Sequence, residues 1–339
     1  MGNLTIRDIA RLAGVSTTAV SFILNDKPGV SEETRKRVKE IIASTGFTPN
    51  VHTRRLNLGR SFTIHVVLYW HQQAIFNQFA LEIMYGIFAS CKRLGYSVMF
   101  TFIDRTWDVT QLMESIHSKD CDGLILSQVE DPSFISLLQQ ENIPFVCVDS
   151  HVKKDGNLPL VEVDYYKASY DATQYLARMG HKDIGYIGSS TPHELHESTF
   201  NGYIDAMRDE GLACNPAWIG GIEFSATSAG EFFDSLVEGK FNVPTAFFCT
   251  GDAFSVNLLN AAKRHGYNVP DDLSIVSVDD LLVSRYVSPP LSTMSFDKEA
   301  LGAKAVDVLH AIINDEPYQT ITMISPEILE RSSVKNLNK

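Results

Sequence analysis

The feature that most constrains this chain is a regular alternation of short apolar runs with helical patterns, which begins at Thr63. Such alternation is typical of parallel sheets whose two faces are covered by helices. Two series of similar length predict two α/β lobes. The predicted strands lie at 63–70, 96–103, 122–127 and 143–150, then at 183–190, 244–252 and 273–280, with helices near 78–94 and 194–210 and another that ends at Gly266.

Polar capping residues divide the first part of the chain into three predicted helices. Thr5 and Asp8 form a start that is similar to a capping box, and Gly14 ends the helix that follows. A helix, a short turn containing glycine and a second helix make up the helix-turn-helix plan. The first two helices are predicted at about residues 5–13 and 17–25, with Ser16 as the cap of the second, and a third begins after the cap Ser31.

The second predicted helix has two different sides. Val20, Ile23 and Leu24 make one side apolar. On the other side, hydroxyl groups can bond to base edges or phosphates in a major groove, and an aromatic ring can contact a thymine methyl. A soluble surface helix is the alternative, but such helices favour Glu and Lys, which this side lacks. The polar side consists of Thr17, Thr18, Ser21, Phe22 and Asn25.

Charge is distributed unevenly along the chain. The formal net charge is -12, yet residues 1–61 hold ten Lys and Arg against five acids, which leaves -17 for residues 62–339. A basic module of this kind attracts nucleic acid without reading its sequence, and a solvated basic face is the alternative. Residues 49–61 contain Arg54, Arg55 and an isolated Leu56. They are either a flexible basic tether or a short helix that orders on DNA, with Leu56 as a wedge in the minor groove.

Several classes of protein lack support. The five cysteines are widely spaced without a CxxC, and no stretch approaches the ~18 apolar residues of a membrane span. We therefore expect a reduced, cytoplasmic protein without a membrane segment. His193 and His196 are three residues apart, not at the HExxH spacing, and GxGxxG, GxxxxGK[ST] and GxSxG motifs are absent. We expect no metal, no cofactor and no catalytic residues.

The N-terminal motifs resemble the DNA-binding domain of the LacI/GalR family of bacterial transcription regulators. By this resemblance Thr17, Thr18 and Phe22 read bases. Phe22 departs from the usual Arg, which reads guanine. Phosphates are held by residues matching Thr5, Ser16, Ser21, Asn25, Ser31 and Thr34, and a hinge helix in the minor groove contains Asn50, Thr53, Arg54 and Leu56. The matching motifs are TIRDIARLAGVS (5–16), AVS (19–21), LN (24–25), KPGVS (27–31), TR (34–35), GF (46–47) and PN (49–50).

Residues that follow the predicted strands are candidates for ligand binding, since ligands of open α/β sheets bind at the carboxyl ends of strands. For Asp149, Asp252, Asp279 and Asp280 a turn or capping role is the alternative. The resemblance to the LacI/GalR family continues here, and it implies a core similar to periplasmic sugar-binding proteins with an effector between the lobes. The effector contacts implied by the resemblance are Phe79, Asp149, Leu195, Thr199, Phe224 and Asp279.

Departures from the family pattern concern the effector. Thr199 replaces an Arg that grips sugar hydroxyls, Gly251 replaces a ligand-binding Asn, and Ala80 replaces an aromatic residue. The identity of the effector therefore does not follow from the resemblance. The expected fold is an all-α helix-turn-helix headpiece followed by a two-lobed, doubly wound α/β core. The expected boundaries are 1–48 for the headpiece, 49–61 for the hinge and 62–339 for the core, with lobe 1 at about 62–162 and 292–323 and lobe 2 at about 163–291 and 324–339.

The combined hypothesis is a homodimeric transcriptional repressor that binds a pseudo-palindromic double-stranded operator. A small molecule between the lobes, a sugar or related metabolite, would control operator affinity. Two alternatives remain open. One is a regulator of the same family controlled by a protein corepressor. The other is a solute-binding protein, which would need a signal peptide and would lack a helix-turn-helix.

Overall fold

The computed structural model divides the chain into two compact units, Met1–Ser61 and Phe62–Lys339. The unit at the N-terminus is called the headpiece below, and the larger unit is called the core. The residues that the structure describes are 4–24, 27–47, 60–69, 77–104, 107–129, 131–150, 152, 158–189, 194–223, 225 and 227–338, apart from the side chains of Asn77, Gln111, Glu194 and Leu195.

Three helices form the described part of the headpiece, as predicted: α1 (Ile6–Ala13), α2 (Thr17–Leu24) and α3 (Glu32–Thr45). Their inward-facing residues form a small apolar core that contains Ile9, Val20, Ile23 and Val38. Gly14 ends α1 with a φ of 65°, a left-handed conformation that favours glycine. The predicted caps are present, since the Ser16 hydroxyl accepts from the Ala19 N–H at 3.1 Å and Ser31 caps α3.

The first lobe of the core is a parallel six-stranded sheet in the order β11-β5-β4-β3-β1-β2. Four of its strands match predicted runs, and β5 and β11 were not predicted. Its elements are β1 (Thr63–Tyr69), α4 (Asn77–Leu94), β2 (Ser97–Ile103), α5 (Val109–His117), β3 (Gly123–Ser127), α6 (Pro132–Gln140), β4 (Phe145–Val148), β5 (Leu160–Val163), α12 (Lys298–Ile313) and β11 (Ile321–Ile324).

The second lobe is also a six-stranded sheet, in the order β12-β10-β9-β8-β6-β7, and only β12 runs antiparallel to its neighbour. Its elements are α7 (Tyr165–Arg178), β6 (Ile184–Ser189), α8 (Glu194–Asp209), β7 (Ile219–Ile222), α9 (Ser228–Glu238), β8 (Ala246–Cys249), α10 (Asp252–Arg264), β9 (Ser274–Val278), α11 (Leu282–Tyr286), β10 (Ser292–Ser295) and β12 (Glu327–Leu329).

Helices cover both faces of each sheet, which confirms the doubly wound α/β core. Val66 and Val67 are adjacent in β1, yet Val66 packs in the cluster that includes residues of α4 and α12, and Val67 packs in the cluster with α5 and α6. In the second lobe α7 and α8 cover one face, and α9 and α10 cover the other. Strands buried on both faces are apolar throughout, and this explains why the runs were recognisable in sequence.

The chain crosses between the lobes at three places. Asp164 joins β5 to α7, the segment Phe296–Asp297 joins β10 to α12, and the third crossing joins β11 to β12. One expected boundary differs from the structure. Residues 292–295 were assigned to the first lobe, but β10 pairs with β9 in the second sheet, with Ser292 beside Val276. The crossing therefore follows Ser295, because the backbone groups of β10 complete the second ladder.

Candidate nucleic-acid interface and ligand cleft

Helix α2 presents one polar side to solvent. Val20 and Ile23 are fully buried in the headpiece core, whereas Thr17 and Thr18 are exposed and Ser21 is half-buried. Val20 and Ile23 are three residues apart and share one side of the helix. Thr18 lies opposite that side, and Thr17, the first residue of α2, lies at its edge and is also exposed. The arrangement leaves two hydroxyl groups on a convex surface that a major groove can accept.

Four of the hydroxyl groups assigned to phosphates lie at helix N-termini, namely those of Thr5, Ser16, Ser31 and Thr34. The Thr5 hydroxyl donates to the Asp8 carboxylate at 2.7 Å, and the Ser31 and Thr34 hydroxyls are 2.9 Å apart. Hydrogen bonds from Thr5 also hold the pKa of Asp8 below its usual value. Exposed N–H groups at helix N-termini favour anions, so Ser16, Ser31 and Thr34 occupy positions where a phosphate can bind.

Phe22 packs against the turn that follows α2. Its ring is half-buried, and a Cβ at Gly29 would lie 3.6 Å from two of the ring atoms. Gly29 has a φ of 107°, which is uncommon for other residues. The Arg35 guanidinium donates to the Lys27 carbonyl at 2.9 Å and ties the same turn to α3. Phe22 and Arg35 therefore stabilise the turn between α2 and α3, a role that sequence analysis missed.

Several predicted DNA contacts fall outside the described residues. They are Asn25 at the end of the second predicted helix and the hinge residues Asn50, Thr53, Arg54 and Leu56.

In the core, Asp149 joins the two lobes. It follows β4 in the first lobe, its carboxylate is 1% exposed, and it accepts from the Tyr165 hydroxyl at 2.7 Å. Tyr165 is the first residue of α7 in the second lobe. The Gln128 amide donates to the other carboxylate oxygen at 3.2 Å. Burial raises the pKa of Asp149 to about 6, although both hydrogen bonds favour the ionised form.

Aromatic rings surround this carboxylate. Phe79 from α4 meets the edge of Phe296 at a centroid distance of 5.8 Å, and Tyr165 meets Phe296 at 6.4 Å. Phe296 lies on the second crossing between the lobes. Edge-to-face rings of this kind contribute roughly 0.5–1.5 kcal/mol a pair beyond burial. We call Phe79, Asp149, Tyr165, Asp279, Phe296 and Lys298 the interlobe site.

Asp279 enters the interlobe site from β9. Its side chain is half-buried, and a Cβ on Gly251 would lie 3.5 Å from one of its oxygens. Burial and the nearby Asp252 carboxylate raise the pKa of Asp279 well above its usual value, and Lys298 opposes this rise. Asp149 and Asp279 both have positive φ, 48° and 105°. Such conformations are uncommon outside glycine and cluster at binding sites.

Of the other three predicted effector residues, Thr199 is the one whose side chain the structure describes. Thr199 is 2% exposed, and its hydroxyl lies 2.9 Å from the Tyr186 hydroxyl inside the second lobe. The side chain of Leu195 and the whole of Phe224 fall outside the described residues. Of the six predicted contacts, the structure thus assigns Phe79, Asp149 and Asp279 to one site.

Two carboxylates that follow strands have structural partners. Asp252 accepts from the Leu281 N–H and the Thr293 hydroxyl, and burial raises its pKa to about 6. Asp280 pairs with Arg285 at 2.8 Å and with Arg331. Burial acts to raise the pKa of Asp280, but hydrogen bonds from both guanidinium groups hold it below the usual value. These two residues stabilise the second lobe.

Sequence analysis missed Tyr165, Phe296 and Lys298. They follow β5 and β10, which are only four residues long and were not recognised as strands. The sequence does contain an aspartate that caps each following helix, which could have located these residues. Asp164 accepts from the Lys167 N–H, and Asp297 accepts from the Ala300 N–H. Each cap marks the start of a helix directly after a crossing between lobes.

Membrane-spanning helices and metal-binding clusters are absent from the described part of the chain. No helix there is long and apolar enough to cross a membrane. No group of three or more His, Cys, Asp or Glu side chains there is arranged to hold a metal ion.

Comparison with known proteins gives consistent matches over the whole chain. Residues 5–50 match the bacterial regulatory proteins of the lacI family, and residues 173–334 match a periplasmic binding protein-like domain. The HTH-type transcriptional repressor PurR of Actinobacillus pleuropneumoniae serotype 3 (strain JL03) is 32% identical over 340 residues, which cover 99% of both chains.

Two solved structures have a similar fold. The lac repressor dimer bound to operator and the anti-inducer ONPF is 22% identical with a TM-score of 0.79, and the alignment covers 98% of this chain and 100% of that one. The complex of the transcriptional regulator CelR with cellobiose is 23% identical with a TM-score of 0.73, covering 97% and 99%.

Proposed function

The chain belongs to the lacI family of bacterial regulatory proteins, which are DNA-binding transcriptional repressors and not enzymes, and from this premise we propose how its residues bind an operator and a ligand. Helix α2 enters the major groove of one operator half-site. The observation that carries this assignment is that Thr17 and Thr18 are exposed while Val20 and Ile23 of the same helix are buried. Because DNA is the target, the protein acts in the cytoplasm.

Thr17, Thr18 and Phe22 read bases in this proposal. Threonine hydroxyls can donate to or accept from base edges, whereas a phenyl ring offers only apolar contact, such as with a thymine methyl. The half-site therefore lacks the guanine preference that an Arg in place of Phe22 would give. Phosphates bind at the helix N-termini and along α2, through Thr5, Ser16, Ser21, Asn25, Ser31 and Thr34.

Residues 49–61 form the second DNA contact in this proposal. Arg54 offers positive charge to phosphates, and Leu56 is the apolar wedge that opens the central base step. Asn50 and Thr53 supply polar groups to the minor groove. These assignments are supported by the resemblance of residues 49–61 to the hinge of the LacI/GalR family and by the basic composition of this segment.

Two copies of the chain form the repressor. Leu81, Tyr85 and Phe88 are spaced at i, i+4 and i+7 on α4 and are all exposed, at 50%, 62% and 47%. The exposed Phe102 on edge strand β2 continues this apolar face through Phe100, which lies 5.1 Å from Phe88. Exposed apolar faces of this extent mark protein interfaces. A second copy with two-fold symmetry fits a pseudo-palindromic operator.

A small molecule controls operator affinity from between the lobes. Carboxylates such as Asp149 and Asp279 accept hydrogen bonds from hydroxyl groups, and Phe79 and Phe296 offer apolar faces, a combination that suits a sugar or related metabolite. Leu195, Thr199 and Phe224 complete the proposed contacts. The ligand shifts the lobes only by its difference in affinity for their two orientations.

Selection from fragmented genomic DNA tests operator recognition. The purified protein is incubated with fragments at two salt concentrations, and the retained DNA is sequenced. An enriched near-palindrome at both concentrations is the expected result. Retention that is sensitive to salt and independent of sequence would refute the proposed readout.

The recovered operator then tests control by a small molecule. Metabolites suggested by the neighbouring genes are titrated by calorimetry, and operator affinity is measured with and without each one that binds. A bound metabolite that leaves operator affinity unchanged would refute the coupling. Silence towards all of them, with a working operator, would favour a protein corepressor instead.

A further inference from the structure

One hydrogen bond directly connects the two lobes at the base of the interlobe site. Asp149 belongs to the first lobe, and Tyr165 begins α7, which packs on the second sheet. The Tyr165 hydroxyl donates to Asp149 at 2.7 Å, and both residues are buried, at 8% and 1% exposure. The bond spans the crossing at Asp164, so a change in lobe orientation acts directly on it.

Tyr165 also contacts the second crossing. Its ring meets Phe296 at 6.4 Å with an interplanar angle of 80°, and Phe296 in turn meets Phe79 of the first lobe. The ring of Tyr165 thus contacts the crossing at Phe296–Asp297, and Tyr165 itself directly follows the crossing at Asp164. Small rotations of the lobes must move this tyrosine relative to Asp149 or relative to Phe296.

We infer that the hydrogen bond from Tyr165 to Asp149 is the tie that holds the lobes in the observed orientation, and that a ligand acts by displacing the Tyr165 hydroxyl. This inference rests on the proposed ligand site. Asp149 is 1% exposed, so a ligand reaches its carboxylate only when a covering group moves, and the Tyr165 hydroxyl is bonded directly to that carboxylate. A ligand donor that replaces the hydroxyl keeps the buried carboxylate bonded, and the exchange avoids an unsatisfied charge. Tyr165 is accordingly a positioning residue for the ligand response.

The same geometry restricts the chemistry of the ligand. Asp149 and Asp279 are acceptors, and the Gln128 side-chain oxygen is buried with no hydrogen-bond partner in the described part of the chain. The Lys298 ammonium is already 3.4 Å from the Glu82 carboxylate. Groups that accept hydrogen bonds favour a ligand that donates them. The tie is therefore released by hydroxyl or ammonium groups and not by phosphate or carboxylate groups.

Replacing Tyr165 by phenylalanine tests the tie, because it removes the hydroxyl and keeps the ring. Tyr203→Phe is the matched control, since the buried Tyr203 hydroxyl donates to the Ile184 carbonyl at 2.8 Å within the second lobe. Hydrogen–deuterium exchange of the full chain is measured at residues 160–165 and 293–298. We expect exchange there to become about tenfold faster in Tyr165→Phe and to change less than about twofold in Tyr203→Phe.

Operator affinity gives the second measurement. Without added ligand, Tyr165→Phe is expected to change affinity for the selected operator by about tenfold, and Tyr203→Phe by less than about twofold. Asp149→Asn keeps an oxygen for the Tyr165 hydroxyl but removes the charge, so it should give intermediate exchange rates. Equal behaviour of the two tyrosine variants in exchange would overturn the inference. A protein that selects no operator would refute the proposed function, and the exchange data would still decide the tie.

Discussion

Replacing Asp149 by asparagine is expected to change how the stability of the core depends on pH. The Asp149 carboxylate is 1% exposed, and burial raises its pKa from 3.8 to about 6. A raised pKa in the folded state means that ionisation favours unfolding. The stabilising contribution of the neutral carboxyl is fully present below about pH 3.8 and is lost as the pH rises through about 6.

The size of the effect follows from the two pKa values. Between 3.8 and about 6, the difference corresponds to ~3 kcal/mol of destabilisation once the group is fully ionised. Most of this destabilisation is present at pH 7 and roughly half is present at pH 5, because the Asp149 carboxyl ionises at a lower pH in the unfolded chain than in the folded one. Asparagine carries no charge at either pH. The free energy of unfolding of Asp149→Asn, relative to the wild type, should therefore increase by about 1 kcal/mol from pH 5 to pH 7.

Urea denaturation followed by tryptophan fluorescence measures this difference. The three tryptophans, Trp70, Trp107 and Trp218, all belong to the core, so the signal does not report the headpiece. Hydrogen-bond changes in Asp149→Asn shift its stability by the same amount at both pH values and cancel in the comparison. Asp307→Asn is the control, because that carboxylate pairs with Arg93 within the first lobe and is 47% exposed. Equal differences from wild type at pH 5 and pH 7 for Asp149→Asn would refute the reasoning.

Three further predictions concern other parts of the molecule. Ile9→Ala removes a fully buried headpiece side chain and should cost the headpiece ~2–5 kcal/mol, so that operator binding is lost while the fluorescence midpoint of the core stays unchanged. Thr18→Ala should alter preference at one half-site position by ~1–3 kcal/mol in titrations of operator variants, and a uniform loss for every sequence would contradict base reading. Gly302→Ala places a Cβ 2.1 Å from the Ile83 carbonyl oxygen and should destabilise the core by ~1–3 kcal/mol or more in urea, whereas an unchanged midpoint would disprove the tight contact of α4 with α12.

Local patterns were enough to predict the headpiece and most of the core strands. Helical spacing alone places Val20 and Ile23 on one side of α2 and Thr18 on the other. Ser16 and Ser31 were predicted as caps because serine is a preferred capping residue. Their hydroxyls accept hydrogen bonds from N–H groups three residues ahead. Central strands such as β3 and β9 were recognisable because burial on both faces makes every residue apolar or small.

The interlobe site depended on contacts that no local pattern contains. Asp149 and Tyr165 are 16 residues apart, and Phe296 is far from both in sequence. They meet because the chain crosses between the sheets at Asp164 and again at Phe296–Asp297. The ring of Phe22 similarly lies beside Gly29, seven residues ahead, so that a Cβ there would be 3.6 Å from two ring atoms.

The amino-acid sequence by itself determined the headpiece helices and the longer buried strands of the core, because those patterns depend on neighbours a few residues away. Only the tertiary structure decided that Asp149 is tied to Tyr165 while Asp280 is paired with Arg285 and Arg331. In the sequence Asp149 and Asp280 were equivalent, because each is an acidic residue that follows a predicted strand. Their roles differ because packing sets the distance, burial and charge around each group.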